Sequence, residues 1–399
     1  MSQPTGVHAF VRRSHEERVL AALRELGALS RAEIATQVKL SRTTVSEVTN
    51  RLIEQGAVIV TDTDAGSREG SGRPAERLSL DPASGQFMGI DFGQRRVNVL
   101  VADASHNVIA SGSARYEESA TWDDRERQAL DLIDELGNEA GIHYGALHAI
   151  GIGVPGWGNR AAADDVGALF ARAFDARTIV DNNVRFAGLA EALRGRPTSV
   201  SDLVYLRLSD GVGGALVIDG RLLRGSKGFA GELGHITADP DGLMCRCGKR
   251  GCVETIASVP AILAACRAAG VEVESLADLR AAAAIAHPLV ERVLRAAGVA
   301  VGRALGTVAM TLNPTEIVLG GEIVRAAPVL LEQIRATVTY ELSWGLDTAP
   351  TVRAAELSDE GGALGALAAV FQESPLLPTY RDSAHPDLAD SPQMQRSIS

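Results

Sequence analysis

Residues 231–254 read GELGHITADPDGLMCRCGKRGCVE, which sets His235 shortly before Cys245, Cys247 and Cys252. One imidazole and three thiols are a donor set that closes a tetrahedron around zinc. Three of the chain's four cysteines crowd into this one stretch, and four in 399 residues are too few for a disulfide scaffold. Gly248 and Gly251 provide the turns that bring the thiols together. The alternative is a chance cluster of thiols that holds no metal. With all four positions filled by protein, zinc here is structural, because a catalytic zinc keeps one position open for water. Chelation is then expected to loosen the segment. Cys266, outside the cluster, reads as a small core residue.

Around this stretch, apolar runs and helical patterns alternate from Phe87 to about Phe371, which is α/β architecture. Phe87-Met88-Gly89-Ile90-Asp91-Phe92-Gly93 and Val97–Asp103 are two strand-like runs about a turn. Val108-Ile109-Ala110, a helix near Asp123–Ala140 and a further run at Leu147–Val154 follow. Asp81-Pro82-Ala83-Ser84-Gly85 is a polar break before them. Residues Glu373 to Ser399 are rich in Pro, Ser and Asp without periodicity, and a disordered tail is expected. At 399 residues with 46% hydrophobic content, the chain can fill two or three cores.

The first 80 residues have a different plan. Val19, Leu20, Leu23 and Leu26 fall at helical spacing before Gly27. Ser30 and Glu33 form a capping-box pattern that opens a second, short helix through about Val38. Ser41 caps a third helix to about Gln55 whose apolar face is Val45, Val48, Leu52 and Ile53. Its polar face carries Arg42, Thr43, Thr44, Ser46, Glu47, Asn50 and Arg51, side chains of a length that reaches bases and phosphates in a major groove. Val58-Ile59-Val60 and Arg77–Leu80 then read as a hairpin around a Gly/Ser-rich loop ending in Arg73-Pro74, and Arg73 is placed to enter a minor groove. A polar helix face alone is usually just solvated. Here helix, helix-turn-helix and glycine-rich hairpin occur in order, which is the layout of a winged helix-turn-helix on double-stranded DNA.

Net charge is −11, which argues against a general nucleic-acid coat. Residues 1–80 carry 11 Lys and Arg against 10 Asp and Glu, whereas the remainder carries 28 against 40. DNA contact therefore belongs to the N-terminal segment. No unbroken apolar run of membrane length and no signal-like N-terminus is present, so a cytoplasmic protein without a membrane partner is expected.

The block at 231–254 resembles the signature of the ROK family, which gathers repressors, open reading frames and sugar kinases on a two-lobed actin-like ATPase fold. The resemblance extends over Gly-Ile-Asp-Phe-Gly at 89–93, Gly-Ile-Gly-Val-Pro-Gly at 151–156, Val-Asp-Asn-Asn at 180–183, Asp-Gly-Val-Gly-Gly at 210–214 and Leu-Gly-Gly at 319–321. It implies a division into a winged helix at 1–80, a linker at 81–86, one lobe at 87–200 and a second at 201–372. The second lobe would contain the zinc motif and a C-terminal helix returning to the first. It also implies that Asn182, Asn183, Glu232, His235 and Glu254 face a sugar's hydroxyls, with His235 shared by the zinc. Glu232 and Glu254 have an alternative use in orienting the zinc ligands.

Three departures bear on function, and one is that the stretch between Gly158 and Val180 is shorter than the segment that in the family supplies part of the sugar-facing loop. Where the family's kinases place the aspartate that takes a proton from the sugar, this chain has Asn183, and an amide has no basic form at neutral pH. Gly93 is followed by Gln94-Arg95-Arg96, long side chains in what is a small phosphate-binding turn in the kinases. The expectation is therefore not an enzyme but a DNA-binding transcription regulator, a repressor of carbohydrate-related genes that senses a sugar or sugar derivative. A regulator with a decayed cleft, answering to a protein partner or to its own abundance, is the alternative. A homodimer or higher homo-oligomer is expected because two-fold related winged helices read inverted half-sites. The apolar segment Leu289–Leu312 serves either the core or a subunit contact.

Overall fold

The computed structural model describes residues 7–54, 56–63, 76–81, 85–117, 119–142, 144–156, 160–193, 202–343, 349–357 and 360–373. Arg73 and nearly all of the C-terminal tail lie outside them.

The N-terminal unit is α1 (Val7–Leu26), β1 (Leu29–Ser30), α2 (Arg31–Val38), α3 (Arg42–Glu54), β2 (Val58–Thr63) and β3 (Glu76–Leu80). The Ser30 hydroxyl accepts from Glu33 N and the Glu33 carboxylate from Ser30 N, which starts α2 as its sequence requires. Thr44 N donates to Ser41 Oγ at the start of α3. Val19, Leu23, Ile34, Val45, Leu52 and Leu78 are buried among these elements. Strands β2 and β3 pair antiparallel, and β1 adds a third strand, giving the order β1-β3-β2.

The rest of the chain holds two five-stranded sheets. The first contains β4 (Gln86–Phe92), β5 (Arg96–Asp103), β6 (Val108–Arg115), β7 (Leu147–Val154) and β8 (Arg177–Asn182), in the order β6-β5-β4-β7-β8. The β4, β5 and β6 strands are antiparallel neighbours, whereas β7 runs parallel to both β4 and β8. Helices α4 (Trp122–Ala140), α5 (Arg160–Phe174) and α6 (Asn183–Leu193) make the connections. Near-continuous burial of β4, β5 and β7 reflects cover on both faces.

The second sheet contains β9 (Leu203–Leu208), β10 (Val212–Ile218), β11 (Arg221–Leu222), β12 (Glu316–Gly320) and β13 (Thr351–Ala354), in the order β11-β10-β9-β12-β13. Its helices are α7 (Glu254–Ala257), α8 (Val259–Ala268), α9 (Leu276–Ala284), α10 (Pro288–Leu312), α11 (Glu322–Ala326) and α12 (Pro328–Leu342). The final helix, α13 (Gly361–Glu373), packs against β4, β7 and α6 of the first sheet's layer. Among the described residues α10 is the one helix long and apolar enough to cross a membrane. Its Val290, Leu294, Val301 and Leu305 are buried in the core beside α12, so its apolar character is used inside this lobe.

Candidate functional site

The polar face of α3 exposes Arg42, Thr43, Glu47 and Asn50, and Thr44 and Ser46 are half-buried at its margin. Arg31 donates to Thr49 Oγ1 and to Asn50 Oδ1, and it pairs with Glu76 of the hairpin, so one guanidinium ties α2, α3 and β3 together. Arg51 departs from expectation. Its Nη1 lies 2.8 Å from Oε1 of Glu16 on α1, a carboxylate that is buried. The pair ties α1 to α3 with its carboxylate buried and its guanidinium part-exposed, so Arg51 has a structural role beside the one its sequence position suggested. Arg51→Ala is expected to lower stability by about 2 kcal/mol, below the 3–5 of a fully buried pair because the arginine side chain keeps 37% of its exposure. Arg51→Lys should recover part of that loss. A urea midpoint unchanged in Arg51→Ala would show that the pair contributes nothing.

His235, Cys245, Cys247 and Cys252 present ligand atoms that all lie within 4.8 Å of one another. Cys245 Sγ is 3.5 Å from His235 Nδ1, and Cys247 Sγ is 3.6 Å from Cys252 Sγ. A zinc tetrahedron with ordinary Zn–S and Zn–N bonds has edges of about 3.4–3.8 Å, so the donor types and these two separations fit, while the set as a whole spans up to 4.8 Å and would draw in around an ion. The turn is held by Gly248 N donating to Cys245 O and by Cys245 N donating to Lys249 O. Gly251 has φ 62°, and a Cβ there would stand 1.4 Å from Asp239 O, so only glycine fits between the cysteines. Without a metal, burial and the neighbouring Cys247 and Cys245 thiols push the Cys252 thiol up to about 12.

A cleft of about 730 Å³ adjoins the metal cluster, and Asn182, Asn183, Glu232 and His235 line it. Asn183 is 6% exposed, and its Nδ2 donates to Phe92 O across the β4 strand end. Asn182 Oδ1 accepts from Val184 N and caps α6, leaving its amide N–H groups as donors. Glu232 Oε1 accepts from Arg185 Nη2 at 2.9 Å. Glu254 does not face the cleft, which corrects the expectation drawn from its sequence position. Its Oε1 and Oε2 accept from Arg246 Nε and Nη2 at 2.8 and 2.9 Å, and Oε2 also accepts from Val212 N. The Cys245 thiol lies 3.9 Å from Oε1, so Glu254 sits beside the His and Cys cluster. Sequence reasoning missed Arg246 and Arg207, both in the cleft lining. The signal for Arg246 was present: Cys245 and Cys247 both turn into the His and Cys cluster, and the residue between them turns away.

The β4–β5 turn at the other side of the cleft is closed on itself. Gly93 N donates to Arg96 O, and the Tyr116 hydroxyl reaches both Gly93 O and Arg96 O at 2.7 and 2.8 Å.

A family profile described as the ROK family matches residues 87–373, well over half of the chain. The chain belongs to the ROK family. A second profile, winged helix-turn-helix DNA-binding, matches residues 12–59. The xylose repressor of Caldicellulosiruptor bescii is 27% identical over 94% of this chain and 100% of its own length. The DNA-binding transcriptional dual regulator NagC of Escherichia coli K12 is 26% identical over 90% and 93%. Among solved structures, a ROK family transcriptional regulator, a homologue of the E. coli MLC protein, has 25% identity and a TM-score of 0.73, covering 91% of this chain and 96% of its own. The ROK hexokinase from Thermus thermophilus has 28% identity and a TM-score of 0.61, covering 72% of this chain and 98% of its own. The regulators match along both the winged helix and the ROK domain. The expected fold and the regulator reading, in preference to the kinase one, agree with these relatives.

In this ROK domain the aspartate of the Gly-Ile-Asp-Phe-Gly run is itself unusual. Asp91 is 5% exposed, and burial pushes its carboxyl up to about 6 against the opposing pull of Arg207, Asn183, Arg96 and Asn98. Its Oδ1 has no hydrogen-bond partner among the described residues, and Oδ2 packs so closely on Gly362 in the first turn of α13 that a Cβ there would stand 2.3 Å away. The folded-state pKa exceeds the unfolded one, so the folded state binds the proton more tightly. Measured against Asp91→Asn, the natural protein is therefore expected to lose stability as pH rises from about 4 to about 6, by up to about 3 kcal/mol, and to change no further above that. Parallel stability curves for the two proteins across that window would show that the carboxyl titrates at its ordinary value.

Proposed function

We propose that this protein is a sequence-specific repressor of carbohydrate-related genes that binds its operator through α3 and the hairpin. A sugar or sugar derivative is taken up by the ROK domain without being phosphorylated. Arg42, Thr43, Thr44, Ser46 and Asn50 make the contacts in the major groove, and Arg73 of the hairpin loop enters the minor groove. Asn182, Asn183, Glu232 and His235 hold the ligand. His235, Cys245, Cys247 and Cys252 hold a structural zinc, whose charge keeps the thiols ionised and fixes the loop that presents His235 and Arg246. The protein acts in the cytoplasm as a homodimer or higher homo-oligomer, so that ligand closure of the two lobes alters the spacing of paired winged helices.

Asn183 is the observation that carries the non-catalytic part of this reading. An amide has no basic form at neutral pH, so Asn183 cannot take a proton from a ligand hydroxyl, and its donation to Phe92 O uses only one of its two N–H groups. The names of the relatives supply the sugars to try first. Thermal denaturation of the zinc-loaded protein with D-xylose or N-acetyl-D-glucosamine tests the reading, and a ligand present at 100 times its Kd is expected to add about 2.7 kcal/mol. The arginine seated on Glu254 favours the second reading, in which the cleft no longer takes a sugar. No shift with these or any of a wide panel of sugars, together with intact DNA binding, would decide for it.

A further inference from the structure

Arg185 interrupts an otherwise apolar α6 segment, Val184-Arg185-Phe186-Ala187-Gly188-Leu189, and is 5% exposed. A guanidinium buried to that degree is costly unless it is fully paired. Three acceptors meet its two Nη atoms, whereas Nε is buried without a partner among the described residues. Asp181 Oδ1 lies 3.2 Å from Nη1, and Gly228 O and Glu232 Oε1 lie 2.5 and 2.9 Å from Nη2. The charges continue from there. Asp181 Oδ2 accepts from Arg224 Nε at 2.6 Å, and Arg224 Nη1 donates to Glu373 Oε1 at 2.9 Å. Arg177 Nη1 holds the Glu373 carbonyl at 3.0 Å. Glu373 ends α13, and two residues earlier Phe371 packs on His106 and, edge-on at 4.9 Å, on Phe87. Phe87 is the second residue of β4, where the chain arrives from the winged helix.

We infer that Arg185 is the positioning residue for Glu232 and the first link of an ionic chain from the cleft to the base of the winged-helix linker. Arg185 commits Oε1 of Glu232 and leaves Oε2 as the acceptor for a ligand hydroxyl. Any displacement of Glu232 is passed through Asp181 and Arg224 to the end of α13, which is clamped on Phe87. Charges of alternating sign suit this role because moving one leaves its neighbour without its partner; the cost is largest at the buried Arg185–Asp181 pair and smaller at Arg224 and Glu373, whose side chains keep 37% and 35% of their exposure. The ligand-facing part of this inference rests on the sugar-cleft reading above, whereas the coupling does not.

Hydrogen–deuterium exchange on the full-length, ligand-free protein tests the coupling. Arg185→Met is expected to raise amide exchange about tenfold or more both at 228–232 and at 369–373, with Arg185→Lys restoring part of the protection at both. An increase confined to 228–232 would overturn the inference, because a purely local structural arginine gives that result. Glu232→Gln leaves Arg185 its Asp181 and Gly228 partners and so guards against a failure of Arg185→Met to fold. It should raise exchange at 369–373 several-fold, and an unchanged rate there would likewise overturn the coupling. In a second arm, D-xylose and N-acetyl-D-glucosamine are added to the natural protein, and protection at 228–232 and 369–373 together supports the whole proposal. If neither sugar alters exchange while Arg185→Met still loosens both segments, the coupling stands and the sugar reading is the part that fails.

Discussion

Cys252→Ser is expected to lower the melting temperature by roughly 8–16 °C and to leave the purified protein without stoichiometric zinc. The estimate follows from linkage: a metal held a thousandfold above its Kd contributes about 4 kcal/mol, and a domain of this size loses roughly 2–4 °C per kcal/mol. The effect should be large at this cysteine because it is fully buried and is bonded into the turn through the Thr237 bridge. Cys247 is exposed, so Cys247→Ser should retain more of the loop's order while still weakening the metal. Cys266→Ser supplies the control, since that thiol is buried in the second lobe's core away from the cluster and should leave the zinc content unchanged. A Cys252→Ser protein with natural melting behaviour and full metal content would remove the site.

Arg42→Ala combined with Thr43→Ala is expected to lower operator affinity by about a hundredfold or more while leaving the melting temperature within 2–3 °C, with each contact worth about 1–3 kcal/mol. Both side chains are exposed on α3, and neither takes part in the Arg31 or Arg51 networks that hold the unit together. Loss of Arg42 alone should also reduce the slope of log affinity against log salt by about 1 per protomer, the signature of a lost phosphate contact. Unchanged affinity and salt dependence in a gel-shift titration would move the DNA surface elsewhere.

Much of this architecture was legible because its signals are local. The Ser30–Glu33 capping box and Ser41 cap announce α2 and α3, and both caps form as written. The run Leu147–Val154 is β7 residue for residue, because an unbroken apolar stretch between turn signals suits a strand covered on both faces. The order β6-β5-β4-β7-β8 was not legible, since pairing β4 with β7 joins strands separated by α4. The winged-helix strands also run longer than the sequence pattern marked, because polar Asp62, Thr63 and Glu76 still pair in the hairpin.

In the site, His235, Cys245, Cys247 and Cys252 come together in a cluster that could hold a metal, whereas individual roles depended on contacts that spacing does not encode. Arg51 looks outward on a helical wheel but meets Glu16 from another helix. Glu254 reads as a ligand carboxylate until Arg246 is seen to occupy both its oxygens. Arg185 carried a warning in its sequence, a lone cation in an apolar helix, though its partners at 228 and 232 lie on a distant loop.

Selection of genomic DNA fragments by the purified, zinc-loaded protein, followed by sequencing of what is retained, tests the regulator reading most directly. Enrichment of an inverted repeat with half-sites about 10 base pairs or a multiple apart is expected, and it should vanish when Arg42 and Thr43 are replaced by alanine. The same fragments recovered by both proteins, or no fragment above background, would show that this ROK protein does not read DNA through α3.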